Sequence, residues 1–260
     1  MNDQLTRRLA TLREPAPQGF VDTVLAATGV ADRYVTRDSG LGTLYVAFND
    51  RGVSALDIAE DDEGFETSFR ERFGRPVVRT EDTPPSIARH LDRAIADGKP
   101  GKLPVDLDGL TEFQAAVLRK AAEIPAGEVR PYGWIAKEIG RPKAVRAVGS
   151  ALAGNPVPVI LPCHRVVRSD GTIGNYSLGG PHNKRTLLEE EGLDVDAYQE
   201  LAGRGITVHA SDTTKIFCHP TCRASRRITE PHRVEFRSPT EAMRAGYRPC
   251  KICRPAAVAA

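Results

Sequence analysis

Four of the five cysteines in this 260-residue chain fall in two close pairs, Cys218-x3-Cys222 and Cys250-x2-Cys253, with 27 residues between the pairs. No other feature constrains the fold as tightly, because two short-range pairs of soft ligands brought to one point close a small module around a tetrahedral ion. The first residues, Met1 to Arg8, hold no apolar signal-peptide core. The thiols are therefore expected in a reducing, cytoplasmic setting, where such spacing serves metal rather than disulfides. Zinc is the expected ion and iron the poorer fit. Residues 205 to 260 offer little core of their own, so the metal is expected to supply folding energy.

The fifth cysteine stands alone. Cys163 sits between Pro162 and His164-Arg165, after the apolar run Val157 to Leu161. That run is too short for a helix and reads as a buried strand. Proline then ends the pairing, which would set Cys163 at the end of a buried element, facing a cleft. A lone buried cysteine is often only core, so the neighbours must decide what this one does.

Upstream, residues 1–109 carry a net charge of −5, whereas residues 208–260 carry +6. An acidic front followed by basic units suggests that the later units meet a polyanion. A chain with 40% apolar and 27% charged residues reads as globular, and no apolar run approaches the roughly 18 residues of a membrane span. Residues 1–30 read as a helix, a break at Pro15-Ala16-Pro17, and a second short helix. Thr43 to Phe48 alternates as a strand with Leu44, Val46 and Phe48 on one face. It turns at Asn49 to Gly52 and returns as Val53 to Ile58. Phe65, Phe69 and Phe73 form an aromatic core stripe on one helix, and Ser86 to Asp97 form another helix with Ile87, Leu91 and Ile95 inward. Nothing catalytic emerges here, and a supporting role is expected.

From Thr111 the pattern is helical. Thr111 and Gln114 form a capping box, and Phe113, Val117 and Ala121 line one face. A short helix runs from Tyr132 toward Ile139 and stops at Gly140. Pro142 suits the first turn of the next helix, from which Val145, Val148 and Leu152 are expected to point inward. Two short helices joined at Gly140-Arg141 make a helix-turn-helix pattern. On the outward face Arg146 is followed by Gly149, Ser150 and Ala153, so that helix is thin beside one protruding arginine.

Against this background, Pro162-Cys163-His164-Arg165-Val166 resembles the PCHRV signature of the O6-alkylguanine-DNA alkyltransferases. The likeness runs from about Phe113 to Gly192 and includes Asn155-Pro156, the Gly174-Asn175-Tyr176-Ser177 loop and the Arg146-Ala147-Val148-Gly149 string. It implies DNA repair by irreversible transfer of the alkyl group from O6-alkylguanine, and from O4-alkylthymine, to Cys163. Glu191 would orient His164, which acts through water to hold the Cys163 sulfur deprotonated. Proline at 181 and glycine at 192 would make Glu191 the last residue of its helix, with Glu189, Glu190 and His182 solvated. Asn155 would support the active-site turn, and main-chain groups at Cys163, Val166 and Ser177 would read the guanine. The helix bearing Arg146, Ala147 and Gly149 would lie in the minor groove of double-stranded DNA. There Arg146 would replace the extruded base while Tyr132 helps to turn it out, since a stacked base cannot present its O6 to a buried thiol. The loop Tyr176 to Lys184 is one residue longer than the commonest family version, which bears on the size of the alkyl pocket.

The wording around the paired cysteines resembles the zinc module of the Ada family, whose first ligand, here Cys218, accepts methyl groups from phosphotriesters. His219 and Ser225 stand where that family usually has arginine, and Arg226-Arg227 offer compensation. Only seven residues follow Cys253, so the activator helices that follow the module in Ada are expected to be missing. The resemblances together imply an α/β plus α fold in three units. These are a ribonuclease-H-like N-terminal α/β domain over 1–108, a helix-turn-helix (winged-helix-like) alkyltransferase domain over 109–195, and a small zinc-bound module over 205–260. A monomer in the cytoplasm is expected. Two alternatives stay open: a thiol hydrolase using Cys163, His164 and Glu191, and a non-catalytic zinc-dependent sensor of damaged DNA.

Overall fold

A computed structural model describes residues 20–255. The helix expected before Pro15 lies outside them, and the second short helix is α1 (Phe20–Ala27). A four-stranded sheet follows, in the order β3-β2-β1-β4, from β1 (Asp32–Ser39), β2 (Gly42–Asn49), β3 (Gly52–Ile58) and β4 (Val77–Arg79). The first three strands are antiparallel neighbours, and β4 lies parallel to β1. As the alternation predicts, Leu44, Val46 and Phe48 share one buried face. They pack with Ile87 and Leu91 of α3 (Pro85–Asp97). The opposite face, Tyr34 and Tyr45, receives Phe65 and Phe69 of α2 (Asp62–Phe73), so the aromatic stripe is core. Neither β1 nor β4 was legible as a strand. In β1 (DRYVTRDS) polar residues sit on both faces, and β4 is only three residues long.

Helix α4 (Glu112–Ala121) begins with the expected capping box, both of whose bonds are present. Helix α5 (Tyr132–Glu138) and helix α6 (Val145–Ala153) meet through a turn in which Gly140 has φ +71°. Two expectations fail here. Helix α6 starts three residues after Pro142, which lies in the turn, and Val145 at its first position is 40% exposed while Val148 and Leu152 are buried. A first-turn residue next to a turn has nothing above it to pack against.

Val157 to Leu161 is a second correction. It forms no strand but a chain of turns in which all five residues are buried and Val159 has φ +70°. Pro156 and Pro158 lack the amides a ladder needs. The bonds go instead to Asn155, which accepts from the Val157 amide and donates to the Leu161 carbonyl (3.0 and 2.7 Å). The N-terminal unit holds this turn in place. The Leu56 amide donates to the Pro156 carbonyl (2.9 Å), and Arg72 donates to the Asn155 carbonyl (2.8 Å). A short parallel pair, β5 (Arg130–Pro131) and β6 (Val166–Val167), and helices α7 (Gly180–Glu190) and α8 (Val195–Gly203) complete the central unit.

The C-terminal module is a sheet in the order β10-β8-β7-β9, from β7 (Val208–Ser211), β8 (Ile216–Cys218), β9 (Arg233–Phe236) and β10 (Arg248–Pro249). Helix α9 (Pro239–Arg244) closes it. A core exists after all, though a small one: Val208, Ala210, Phe217, Phe236, Ala242 and Tyr247. Among the described residues no helix is long and apolar enough to cross a membrane.

Candidate functional site

Cys163 opens a 3-10 turn, Cys163–Arg165, that runs straight into β6. Its sulfur accepts a hydrogen bond from Asn155 Nδ2 (3.1 Å), so the asparagine that shapes the preceding turn also reaches the Cys163 sulfur. Only 5% of Cys163 is exposed. Burial pushes its thiol up, and the Asn155 amide and the Lys184 charge offset part of that rise. Loss of water around the sulfur thus favours the thiol over the thiolate.

An imidazole lies one residue on. His164 is buried, and its Nε2 sits 2.7 Å from Glu191 Oε1. A carboxylate can only accept here, so Nε2 carries the proton. The other nitrogen, Nδ1, is buried without a hydrogen-bond partner. Burial pushes the imidazolium pKa down against the pull of Glu191, which keeps the ring neutral with one free lone pair. Burial alone would raise the Glu191 carboxyl, but hydrogen bonds from His164 and Arg165 hold it at about 2.

Glu191 caps α7 one position beyond the last helical residue, a one-residue correction, while Glu189 and Glu190 are exposed as expected. Arg165, fully buried, gives Glu191 bonds from Nε and Nη2 (2.9 and 2.7 Å) and reaches the Ile124 and Asp97 carbonyls (2.7 and 3.0 Å). It thereby ties the carboxylate to the loop after α4 and to the N-terminal unit. Arg165 and Lys184 were missed as site residues, because in sequence a charged residue looks solvated. Lys184 is 1% exposed, and its Nζ donates to the Val166 carbonyl (2.6 Å). Desolvation pulls its pKa down to about 8 against the pull of Cys163.

Other expected residues fall in two groups. Tyr132, Arg146 and Gly149 line one side of a cleft of about 740 Å³ whose far wall is His219, Pro220, Arg237 and Ser238 of the C-terminal module. Burial raises the pKa of the Tyr132 hydroxyl. Cys163 itself is not among the residues lining this cleft. Ala147 is exposed on α6, Ser177 and His182 are exposed, and Val166 is buried with its carbonyl taken by Lys184.

The second cysteine group converges. Cys218, Cys222, Cys250 and Cys253 are all buried, with their sulfurs within 4.8 Å of one another. Tetrahedral zinc thiolates lie about 3.8 Å apart, so the donor set fits one ion. His219 is buried beside it with Nε2 unpartnered, and Ser225 faces His209 (3.3 Å).

Residues 112–193 match the family model "6-O-methylguanine DNA methyltransferase, DNA binding domain", and residues 200–256 match "Metal binding domain of Ada". The four-cysteine cluster is thus a metal site. The Escherichia coli bifunctional transcriptional activator/DNA repair enzyme Ada is 37% identical over 165 residues, 62% of this chain and 46% of that protein. This chain therefore spans less than half the length of Ada. A methylated-DNA–protein-cysteine methyltransferase of Methanosarcina barkeri is 36% identical over 60% of this chain and 96% of its own length. The crystal structure of Mycobacterium tuberculosis OGT in complex with DNA aligns with 64% of this chain and 98% of that one, at 33% identity and a TM-score of 0.48.

Proposed function

The chain belongs to the methylated-DNA–protein-cysteine methyltransferase family, and from that premise we propose that it repairs O6-alkylguanine in duplex DNA by moving the alkyl group once to Cys163. The observation that carries this is a neutral imidazole, anchored at Nε2 by Glu191 and with Nδ1 free, on the same turn as a buried thiol. The thiol's proton passes toward Nδ1, by way of water. As the sulfur–carbon bond forms, the carbon–O6 bond breaks and its electron pair enters the guanine ring. The proton ends on the released guanine. Net exchange is S–H for S–C, and a thioether offers no way back, so each chain reacts once.

Helix α6 is read as the element that enters the minor groove, with Arg146 filling the space of the extruded nucleotide and Tyr132 turning it out. Gly149 and Ala147 keep the helix thin, and main-chain groups at Val166 and Ser177 would read the base. O4-alkylthymine is a second expected substrate. The N-terminal unit, residues 1–108, is read as ribonuclease-H-like and residues 109–195 as winged-helix-like. In the module of residues 205–260, Cys218, Cys222, Cys250 and Cys253 would hold zinc, which fixes the fold and leaves Cys218 as a second methyl acceptor for phosphotriesters. A cytoplasmic monomer completes this reading.

Incubation with O6-methylguanine duplex is expected to add 14 Da, one methyl for one hydrogen, to the Cys163 peptide and to stop at one group there; an unmodified peptide after long exposure would overturn the proposal. Arg146→Ala should slow repair in duplex about 10-fold while leaving the reaction with free O6-benzylguanine unchanged, the difference being about one side chain's share of base extrusion. Equal losses on both would remove that role.

A further inference from the structure

The C-terminal module grips the central unit along one seam, and that seam passes through the loop holding Glu191. Gly127, between α4 and β5, has φ +69°, and a Cβ there would sit 2.7 Å from the Glu191 carbonyl. Its amide donates to Glu191 Oε2 (3.0 Å), and its carbonyl accepts from Arg226 Nη2 (2.8 Å). The next residue, Glu128, is buried and accepts from the Arg223 amide (3.0 Å). The Val129 amide, also buried, donates to Thr221 Oγ1 (3.0 Å). Three consecutive residues of this loop are thus held by Thr221, Arg223 and Arg226, which flank Cys222. Farther along, the Trp134 indole donates to the carbonyl of Cys253 (2.9 Å), and Arg254 pairs with Glu138 (2.7 Å).

Each grip comes from a residue within four positions of a cluster cysteine, and the first three land on the loop whose Gly127 amide bonds the carboxylate. We propose that the C-terminal module is a positioning element of the Cys163 site: the state of the four-cysteine cluster sets, through Gly127 to Val129, how firmly Glu191 holds the His164 ring. Arg226 and Thr221 are its positioning residues. This rests on the reading of Cys163 as the alkyl acceptor. Its chemical reason is that groups holding a ligand or base in orientation act through hydrogen bonds one step removed from the reacting atoms. Ala126 and Gly127, beside Pro125, carry no polar side chain to replace the lost anchors, and the Glu128 carboxylate is already engaged by Arg130.

The test uses the full chain with zinc bound, the same chain stripped with EDTA, and the metal-loaded variants Arg226→Ala and Arg226→Lys. Arg244→Ala, exposed on α9 and outside the seam, serves as control. Free O6-benzylguanine is the substrate, so that DNA binding cannot enter. Stripped protein and Arg226→Ala should each react about 10-fold more slowly, with Arg226→Lys restoring most of the rate. Hydrogen exchange in the peptide over residues 125–129 should rise, and the ¹⁵N shifts of the His164 ring should move away from the Nε2–H form. A merely structural seam would leave that ring signature still. Unchanged rate, exchange and ring shifts in Arg226→Ala, with metal content confirmed, would overturn the inference, even if the stripped chain unfolds. A parent chain that never alkylates Cys163 would instead overturn the repair reading, and exchange over 125–129 would still decide whether the seam holds the loop.

Discussion

Cys163 and the four-cysteine cluster are both buried sulfur sites, and they solve the problem of burying sulfur in opposite ways. At Cys163 burial favours the thiol of a lone sulfur. The nearby positive charge is the Lys184 ammonium, and the neighbouring His164 imidazole stands at the end of a hydrogen bond to Glu191. In the C-terminal module four sulfurs share one point, a geometry that only a cation can reconcile with four thiolates. The difference teaches that reactivity here follows the charge placed beside the sulfur and not its exposure. On the proposed reading a thiolate at Cys163 is made only as it reacts, whereas thiolates held by a metal hold the fold, Cys218 being the one also proposed to accept a methyl group.

Removing the metal should have the largest effect and divide the two sites most sharply. Chelation of the full chain is expected to cost the module on the order of 10 kcal/mol and to free four thiols for a colorimetric reagent. Cys163 should stay slow, because Asn155 and the clamps from Leu56 and Arg72 belong to the other units. Five thiols appearing together would break the distinction.

Next in size is Glu191→Gln. The substitution leaves Arg165 buried with an uncompensated charge, a change that costs about 3 kcal/mol, and it releases the His164 ring. Denaturant unfolding should show the loss, and single-turnover transfer should slow about 100-fold, while metal content stays the same. Acid gives the same contrast without mutation. The Glu191 carboxyl, lowered from 4.5 to about 2, gives stability that is complete above pH 4.5 and lost as pH falls toward 2. Metal thiolates take up protons in milder acid. The single tryptophan, Trp134, donates to the Cys253 carbonyl. Its fluorescence should therefore change with metal release, ahead of the loss of far-ultraviolet ellipticity from the central unit. A single coincident transition would argue against two separately held sites.

How much of this was legible in the sequence follows the same division. Short-range patterns were readable: the cysteine spacing, the capping box at Thr111, and the proline, cysteine, histidine and arginine run. Each acts within a few residues, so its physics is local. Failures came where neighbours distant in sequence decide. Val157 to Leu161 is buried as expected, yet two prolines and the Asn155 side chain turn it. Val145 had the right period for the core but stands in a first turn that nothing covers. Arg165 and Lys184 are charges that only the folded chain can desolvate and pair. The seam was invisible for the same reason, since Arg226 meets a partner 99 residues away.

The smallest predicted effect separates function from stability at one of those missed residues. Lys184 is held charged where its pKa has fallen from 10.5 to about 8, so below pH 8 burial of the ammonium works against folding. The bond to the Val166 carbonyl returns part of that cost. Lys184→Met keeps the length, removes the buried charge, and takes a donor from the Val166 and Asn175 carbonyls. These terms oppose each other, and the net change in unfolding free energy should lie within about 1 kcal/mol. Reactivity should not be spared, because the ammonium is the positive charge that offsets burial of the Cys163 thiol. Transfer from free O6-benzylguanine should slow several-fold, and the pH at which Cys163 reacts with a small alkylating agent should rise. The four metal thiolates, whose cation is elsewhere, should be indifferent to the change. A variant that is markedly destabilised but transfers at the parent rate would show that Lys184 serves the turn and not the sulfur, and the contrast between the two sites would then rest on His164 and Glu191 alone.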